Sequence, residues 1–98
     1  MVDEKQGLGN PEEFFLFQNY PNPFNSNTSI SFRLPVRGKV VLSIFNELGE
    51  RVTILMDGEK EAGYHSIEWN AANMTSDVYF YELKTNNNCD VKKLLSMK

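Results

Sequence analysis

Thr28-Ser29-Ile30-Ser31-Phe32-Arg33-Leu34-Pro35 alternates with a period of two. Ile30, Phe32 and Leu34 fall on one face, and Ser29, Ser31 and Arg33 on the other. Successive side chains of an extended chain point to opposite sides, so this is a strand with one face on a core and one toward water. Pro35 has no N–H to donate and ends it, and Arg37-Gly38 supplies a turn. Val40, Leu42 and Ile44 repeat the alternation. Their neighbours Val41, Ser43 and Phe45 are only partly polar, so this second strand is expected to be covered on both faces.

Toward the C-terminus the punctuation stays that of short strands. Asn46-Glu47-Leu48-Gly49 reads as a type I turn closed by a glycine in the left-handed region, with a bulge beside it. A return strand over Arg51 to Met56 carries Val52 and Ile54 on one face and is expected to break at Asp57-Gly58. Glu59-Lys60-Glu61-Ala62-Gly63 reads as a charged loop, with Gly63 as its turn residue. Tyr64 to Trp69 puts His65, Ile67 and Trp69 inward. After a loop over Asn70 to Asp77, with room for one helical turn, Val78 to Lys84 is strongly β-prone with aromatics on both faces. Asn86-Asn87-Asn88 tolerates left-handed geometry and turns the chain into a last strand, Asp90 to Met97. The spacing predicts about seven short strands and no helix, the pattern of an antiparallel β-sandwich. Phe32, Leu42, Ile44, Ile67, Trp69, Tyr79, Tyr81 and Leu83 are its predicted core.

Toward the N-terminus, Phe14 to Phe17 reads as a short edge strand. It runs into Gln18-Asn19-Tyr20-Pro21-Asn22-Pro23-Phe24-Asn25. Each proline fixes φ and pushes the residue before it toward extended geometry. This stretch is expected to be a rigid, extended connector that cannot continue a ladder, with exposed aromatics. Residues 1–13 are polar, contain Gly7, Gly9 and Pro11, and read as a linker or tail, which leaves 14–98 as the folded domain.

The chain has 98 residues, of which 41% are hydrophobic, with a net charge of -3. That suits one globular domain with a thin core and leaves no room for a deep cleft. The mild acidity gives no footprint for nucleic acid. The apolar runs are too short to span a membrane as a helix. Met1-Val2-Asp3-Glu4-Lys5 carries no signal peptide, so the signal of a secreted parent would lie upstream. Cys89 is the single cysteine, which rules out an internal disulfide and a cysteine-based zinc site. Cys89 itself is expected near the surface.

Catalytic constellations are weak. His65, the single histidine, lacks acidic neighbours at ligand spacing and is better read as a hydrogen-bonded core or rim residue. No nucleophile elbow and no phosphate-cradling glycine loop occurs. Glu59, Glu61, Glu68 and Glu82 are not placed across a cleft by anything in the sequence. Asn19, Asn22, Asn25 and Asn27 offer carbonyl oxygens, but a calcium site wants carboxylates too, so turn formation explains them better. No metal and no cofactor is expected. Among the aromatics, Trp69, Tyr79 and Tyr81 are assigned to the core, and Phe45, Tyr64 and Phe80 to an exposed patch.

From Phe14 to Lys98 the chain resembles, piece after piece, the type A C-terminal sorting domain of the bacterial type IX secretion system. The pieces are Gln18 to Asn25, Ile30 to Pro35, Val40 to Val52, Ala62 to Asn70, Asp77 to Leu83 and the basic-apolar Lys92-Lys93-Leu94-Leu95-Ser96-Met97-Lys98. Three departures are Asp77 where glycine is usual, Asn70 for aspartate and Phe45 for tyrosine. The pattern is shared with the flagellar hook-capping immunoglobulin-like domain. The resemblance implies an immunoglobulin-like β-sandwich that serves as a non-catalytic export address on a larger parent protein. It implies passage through the periplasm, recognition by the outer-membrane translocon, removal by a cell-surface sortase, and delivery to the surface or medium. Asn19, Tyr20, Pro21, Asn22, Pro23, Phe24 and Asn25 would be the family's opening motif. Lys92, Lys93, Leu94, Leu95, Met97 and Lys98 would carry translocon recognition, with the last strand presented as an edge for β-augmentation. A carbohydrate-binding accessory module and a structural spacer of a secreted protein are the alternatives.

Overall fold

The computed structural model describes residues 13–72, 74 and 77–96. The linker expected over residues 1–13 lies, apart from Glu13, outside the described residues, as do Met97 and Lys98. Eight strands run in chain order: β1 (Phe15–Leu16), β2 (Tyr20–Asn25), β3 (Asn27–Leu34), β4 (Gly38–Phe45), β5 (Arg51–Lys60), β6 (Gly63–Asn70), β7 (Val78–Thr85) and β8 (Cys89–Leu95). They form two antiparallel sheets. In one, β3 is central, with β6 on one side and β1 and β2 end to end on the other. The second has the order β5-β4-β7-β8. The chain crosses between sheets after β3, β5 and β6. The strands of the two antiparallel sheets are thus interleaved along the chain, as in a β-sandwich.

The core lies where the alternation puts it. Ile30, Phe32 and Leu34 face Val40, Leu42 and Ile44 across the sandwich, joined by Trp69, Tyr79, Tyr81 and Leu83, all buried. Ile67 is only partly buried against them. Leu16, Phe24, Ala71 and Leu94 complete the core, none of which the alternation had singled out. Trp69 is the junction: its indole lies 5.9 Å from the Phe24 ring and 5.3 Å, edge-on, from the Tyr79 ring. Each such side chain contributes about 1.5–3 kcal/mol by leaving water.

The turn at Asn46 has the expected form. Gly49 sits at φ 83°. Asn46 Oδ1 accepts the Leu48 and Glu50 N–H groups, and Asn46 O accepts from Gly49 N at 3.0 Å.

Several expectations fail for physical reasons. β5 does not break at Asp57-Gly58 but runs to Lys60, because Gly58, at φ 156°, still pairs with Val40. The charged loop shrinks accordingly to Glu61 and Ala62, before Gly63 at φ 120°. Two bulges shift the register opposite Leu42/Ser43 and Ile44/Phe45. They re-aim the side chains, so that Val52, Leu55 and Met56 pack on the core while Ile54 is exposed. The Asn86–Asn88 turn is held by the Thr85 hydroxyl, which accepts the Asn87 and Asn88 N–H groups, and needs no left-handed asparagine. Among the described residues, Ser26, at φ 74°, is the one non-glycine in that region, and Asp77 is not in it.

The largest correction concerns the proline motif. Tyr20 to Asn25 is a strand, antiparallel to β3, and Phe24 is fully buried. The prolines are accommodated because β2 is an edge strand whose register shifts between Tyr20 and Asn25. There side chains replace the ladder: Asn19 Nδ2 and Thr28 Oγ1 both donate to Pro21 O, at 3.0 and 2.9 Å. The peptide bonds before Pro21 and Pro23 are cis.

Candidate functional site

The proline motif and the C-terminal strand, distant in sequence, form one surface. β2 hangs on β3 in the first sheet, and β8 closes the second sheet at the same end of the sandwich. Where the two edges meet, Phe24 and Ser96 make a parallel bridge. Two side chains of the motif reach across to the open edge of β8. Gln18 Nε2 donates to Lys93 O at 2.8 Å, and Asn22 Oδ1 accepts from Leu95 N at 3.0 Å. An antiparallel strand turns the peptide groups of every second residue outward. Lys93 and Leu95 are such residues, so the motif holds groups that would otherwise stand open.

Buried bonds fix this clamp from beneath. Asn19, almost fully buried, donates to Thr28 Oγ1 at 2.9 Å, and its own Oδ1 accepts from Gln18 at 2.6 Å. The motif asparagines thus shape the backbone and orient Gln18. Tyr81, in β7, donates its hydroxyl to Phe17 O at 2.7 Å and ties the start of the motif to the opposite sheet. Burial pushes the Tyr81 phenol up to about 12 from its ordinary 10.0. The Asn19 backbone amide opposes that shift and the Asp90 carboxylate adds to it. The phenol therefore stays a proton donor throughout the neutral range.

The residues expected to carry recognition fall into distinct places. Lys93 is exposed on the outer face of β8, with Leu95 half-buried on that face. Leu94 is fully buried and serves the core. Lys92 shares the inward face with Leu94 and is half-buried. Met97 and Lys98 lie outside the described residues. The motif's Tyr20 is the most exposed aromatic of this end, at 81%. Gln18 and the bonds of Asn22 to β8 were not legible as site features, because their partners lie far along the chain.

The aromatic patch expected from Phe45, Tyr64 and Phe80 does not exist as one surface. Phe45 and Phe80 are cross-strand partners, half-buried on the outer face of the second sheet. Tyr64 stands on the outer face of the first sheet beside Phe17, at 6.0 Å. Arg33 lies there against both the Phe15 and Phe17 rings, at 5.9 and 5.6 Å. His65 stacks on Phe32, and its Nε2 lies 2.8 Å from Glu61 O, as suits a rim residue. Cys89 is exposed, and partial desolvation and the neighbouring Glu82 carboxylate raise its thiol pKa, so it is a poor nucleophile at neutral pH.

Residues 18–97 match the family model described as the secretion system C-terminal sorting domain. Comparison with curated proteins and with solved structures gives no match.

Proposed function

The chain belongs to the secretion system C-terminal sorting domain family, and from that membership we propose how its surface does the work. Such a domain is the sorting signal by which the type IX secretion machinery takes a parent protein through the periplasm to the cell surface or beyond. Our reading is that the translocon recognises the composite end of the sandwich, where the exposed Lys93 and the half-buried Leu95 lie alongside the proline motif. The observation that carries it is the pair of side-chain bonds from Gln18 and Asn22 to Lys93 and Leu95. They hold the last strand in one defined place at the end of the sandwich, with a basic side chain on its outer face. Residues 14–98 form the unit recognised, and 1–13 link it to the parent.

The domain does no chemistry of its own on this reading. The engaged His65 and the poorly nucleophilic Cys89 support that. A cell-surface sortase then removes the domain from its passenger. A carbohydrate-binding role finds less support, since Trp69, the side chain best suited to stack on a sugar, is 5% exposed.

The test is a reporter with a signal peptide fused to this domain in a type IX-competent bacterium. Deleting Leu94 to Lys98 removes a core side chain, so the informative variant is Lys93→Glu, on the outer face. With circular dichroism unchanged, the variant reporter should accumulate in the periplasm. Normal surface delivery by the folded variant would remove Lys93 from the recognition surface.

A further inference from the structure

A two-sheet sandwich has four edges, and an edge strand with unpaired N–H and C=O groups invites pairing unless something blunts it. Three edges of this molecule are blunted. β2 carries Pro21 and Pro23. β5 has two register shifts and charges along its length. β8 is held by Gln18 and Asn22. The fourth edge, β6, has none of these. Its eight residues, Gly63–Asn70, pair with β3 in one unbroken register, without bulge, proline or lysine, and Glu68 is its one carboxylate.

The direction of its peptide groups is fixed by one bond. Ala71 N donates to Ser26 O at 2.7 Å, just beyond the Asn27–Asn70 pair. Bonded and non-bonded pairs alternate in an antiparallel ladder, so His65, Ile67 and Trp69 turn their peptide groups to β3. Tyr64, Ser66 and Glu68 turn theirs outward. The bond from Phe17 N to Ser31 O on the other side of β3 has the matching parity, since Ser31 is opposite Ser66. The outward groups of Tyr64, Ser66 and Glu68 have no hydrogen-bond partner among the described residues.

We propose that β6 is a self-pairing edge, along which two copies of this chain join antiparallel about a two-fold axis at Ser66. The pattern of this strand is complementary to itself. Ser66 faces Ser66 of the second copy, and Tyr64 faces Glu68 in both directions. No like charges meet, and about six backbone hydrogen bonds form between the outward groups. On the inner side His65 of one copy faces Ile67 of the other, which covers apolar surface that is half-exposed in the single chain. The interface is small, so the dimer is weak and concentration-dependent, of the class that becomes populated where copies are crowded together.

Ser66 is exposed, and its substitution leaves the core untouched. Sedimentation equilibrium over a concentration series should show a reversible dimer for the unaltered chain. Ser66→Lys or Ser66→Glu sets like charges against each other across the axis and should each weaken it ~10-fold or more. Mixing the two variants should restore association as a heterodimer. A chain that stays monomeric up to its solubility limit overturns the proposal. So does a variant that dimerises like the unaltered chain, or a mixture no stronger than its components. Should a substitution disturb folding, hydrogen exchange on the unaltered chain decides. The amides of Tyr64, Ser66 and Glu68 should slow as concentration rises, and rates independent of concentration contradict the pairing.

Discussion

Gly49 and Tyr81 show how differently single residues come to matter. At Gly49 the constraint is local: φ is 83°, and a Cβ built there meets nothing within 4 Å. The cost of a side chain is therefore backbone strain alone. Gly49→Val should destabilise the domain by roughly 1–3 kcal/mol, read from chemical denaturation, while Gly49→Asn should recover most of that. This turn was legible because all of its determinants lie within five consecutive residues. Tyr81 is the opposite case, since its acceptor, Phe17 O, lies 64 residues away. Burial of an aromatic could be read from alternation, but not the bond. Tyr81→Phe leaves that carbonyl short of a donor and should cost about 1–2 kcal/mol. The raised phenol pKa adds a pH signature. The folded state holds this proton more tightly than the unfolded chain, so its contribution is whole below pH 10.0 and is lost as pH rises toward about 12. Stability measured across that window should fall more steeply for the unaltered domain than for Tyr81→Phe. Parallel curves would contradict the assignment.

Among the elements, strands with clean alternation, β3, β4, β6 and β7, were readable almost residue by residue. β5 and β2 were not, and each for a stated cause. In β5 the two bulges change the phase of the pattern, and a glycine that stays paired in the ladder looks in sequence like a break. In β2 two prolines argued against any strand, because the side chains of Asn19 and Thr28 that take over the ladder's role cannot be recognised without the fold. The same blindness hid the clamp on β8. Its clearest consequence is at one amide: among the described residues, Leu95 N–H has Asn22 Oδ1 as its acceptor. Asn22→Ala should speed hydrogen exchange at Leu95 ~5-fold, the factor that a hydrogen bond of about 1 kcal/mol supplies. Exchange at Leu94, whose peptide group faces β7, should hardly change. Equal effects at both positions would mean that the strand frays as a whole and that the clamp is not specific to the edge.

For the whole molecule, the core and the proposed sorting surface are one construction. Phe24, inside the motif, packs on Trp69, and Trp69 packs on Tyr79, so the motif is pinned to the centre of the sandwich. Trp69→Ala should therefore cost about 3–5 kcal/mol and loosen the motif along with the core, seen as a lower melting temperature. A melting temperature like that of the unaltered domain would take Trp69 out of this role. Family membership and sheet architecture were both legible from ordered motifs and period-two runs. The joining of the first and last elements into one surface was not, because it is a property of how two sheets close. The central claim is that this domain is sufficient to send a passenger through type IX secretion. Surface delivery of a reporter fused to it, compared between a competent bacterium and the same strain lacking the translocon, tests that claim most directly. The account predicts delivery in the first and periplasmic retention in the second, and equal delivery in both strains would contradict it.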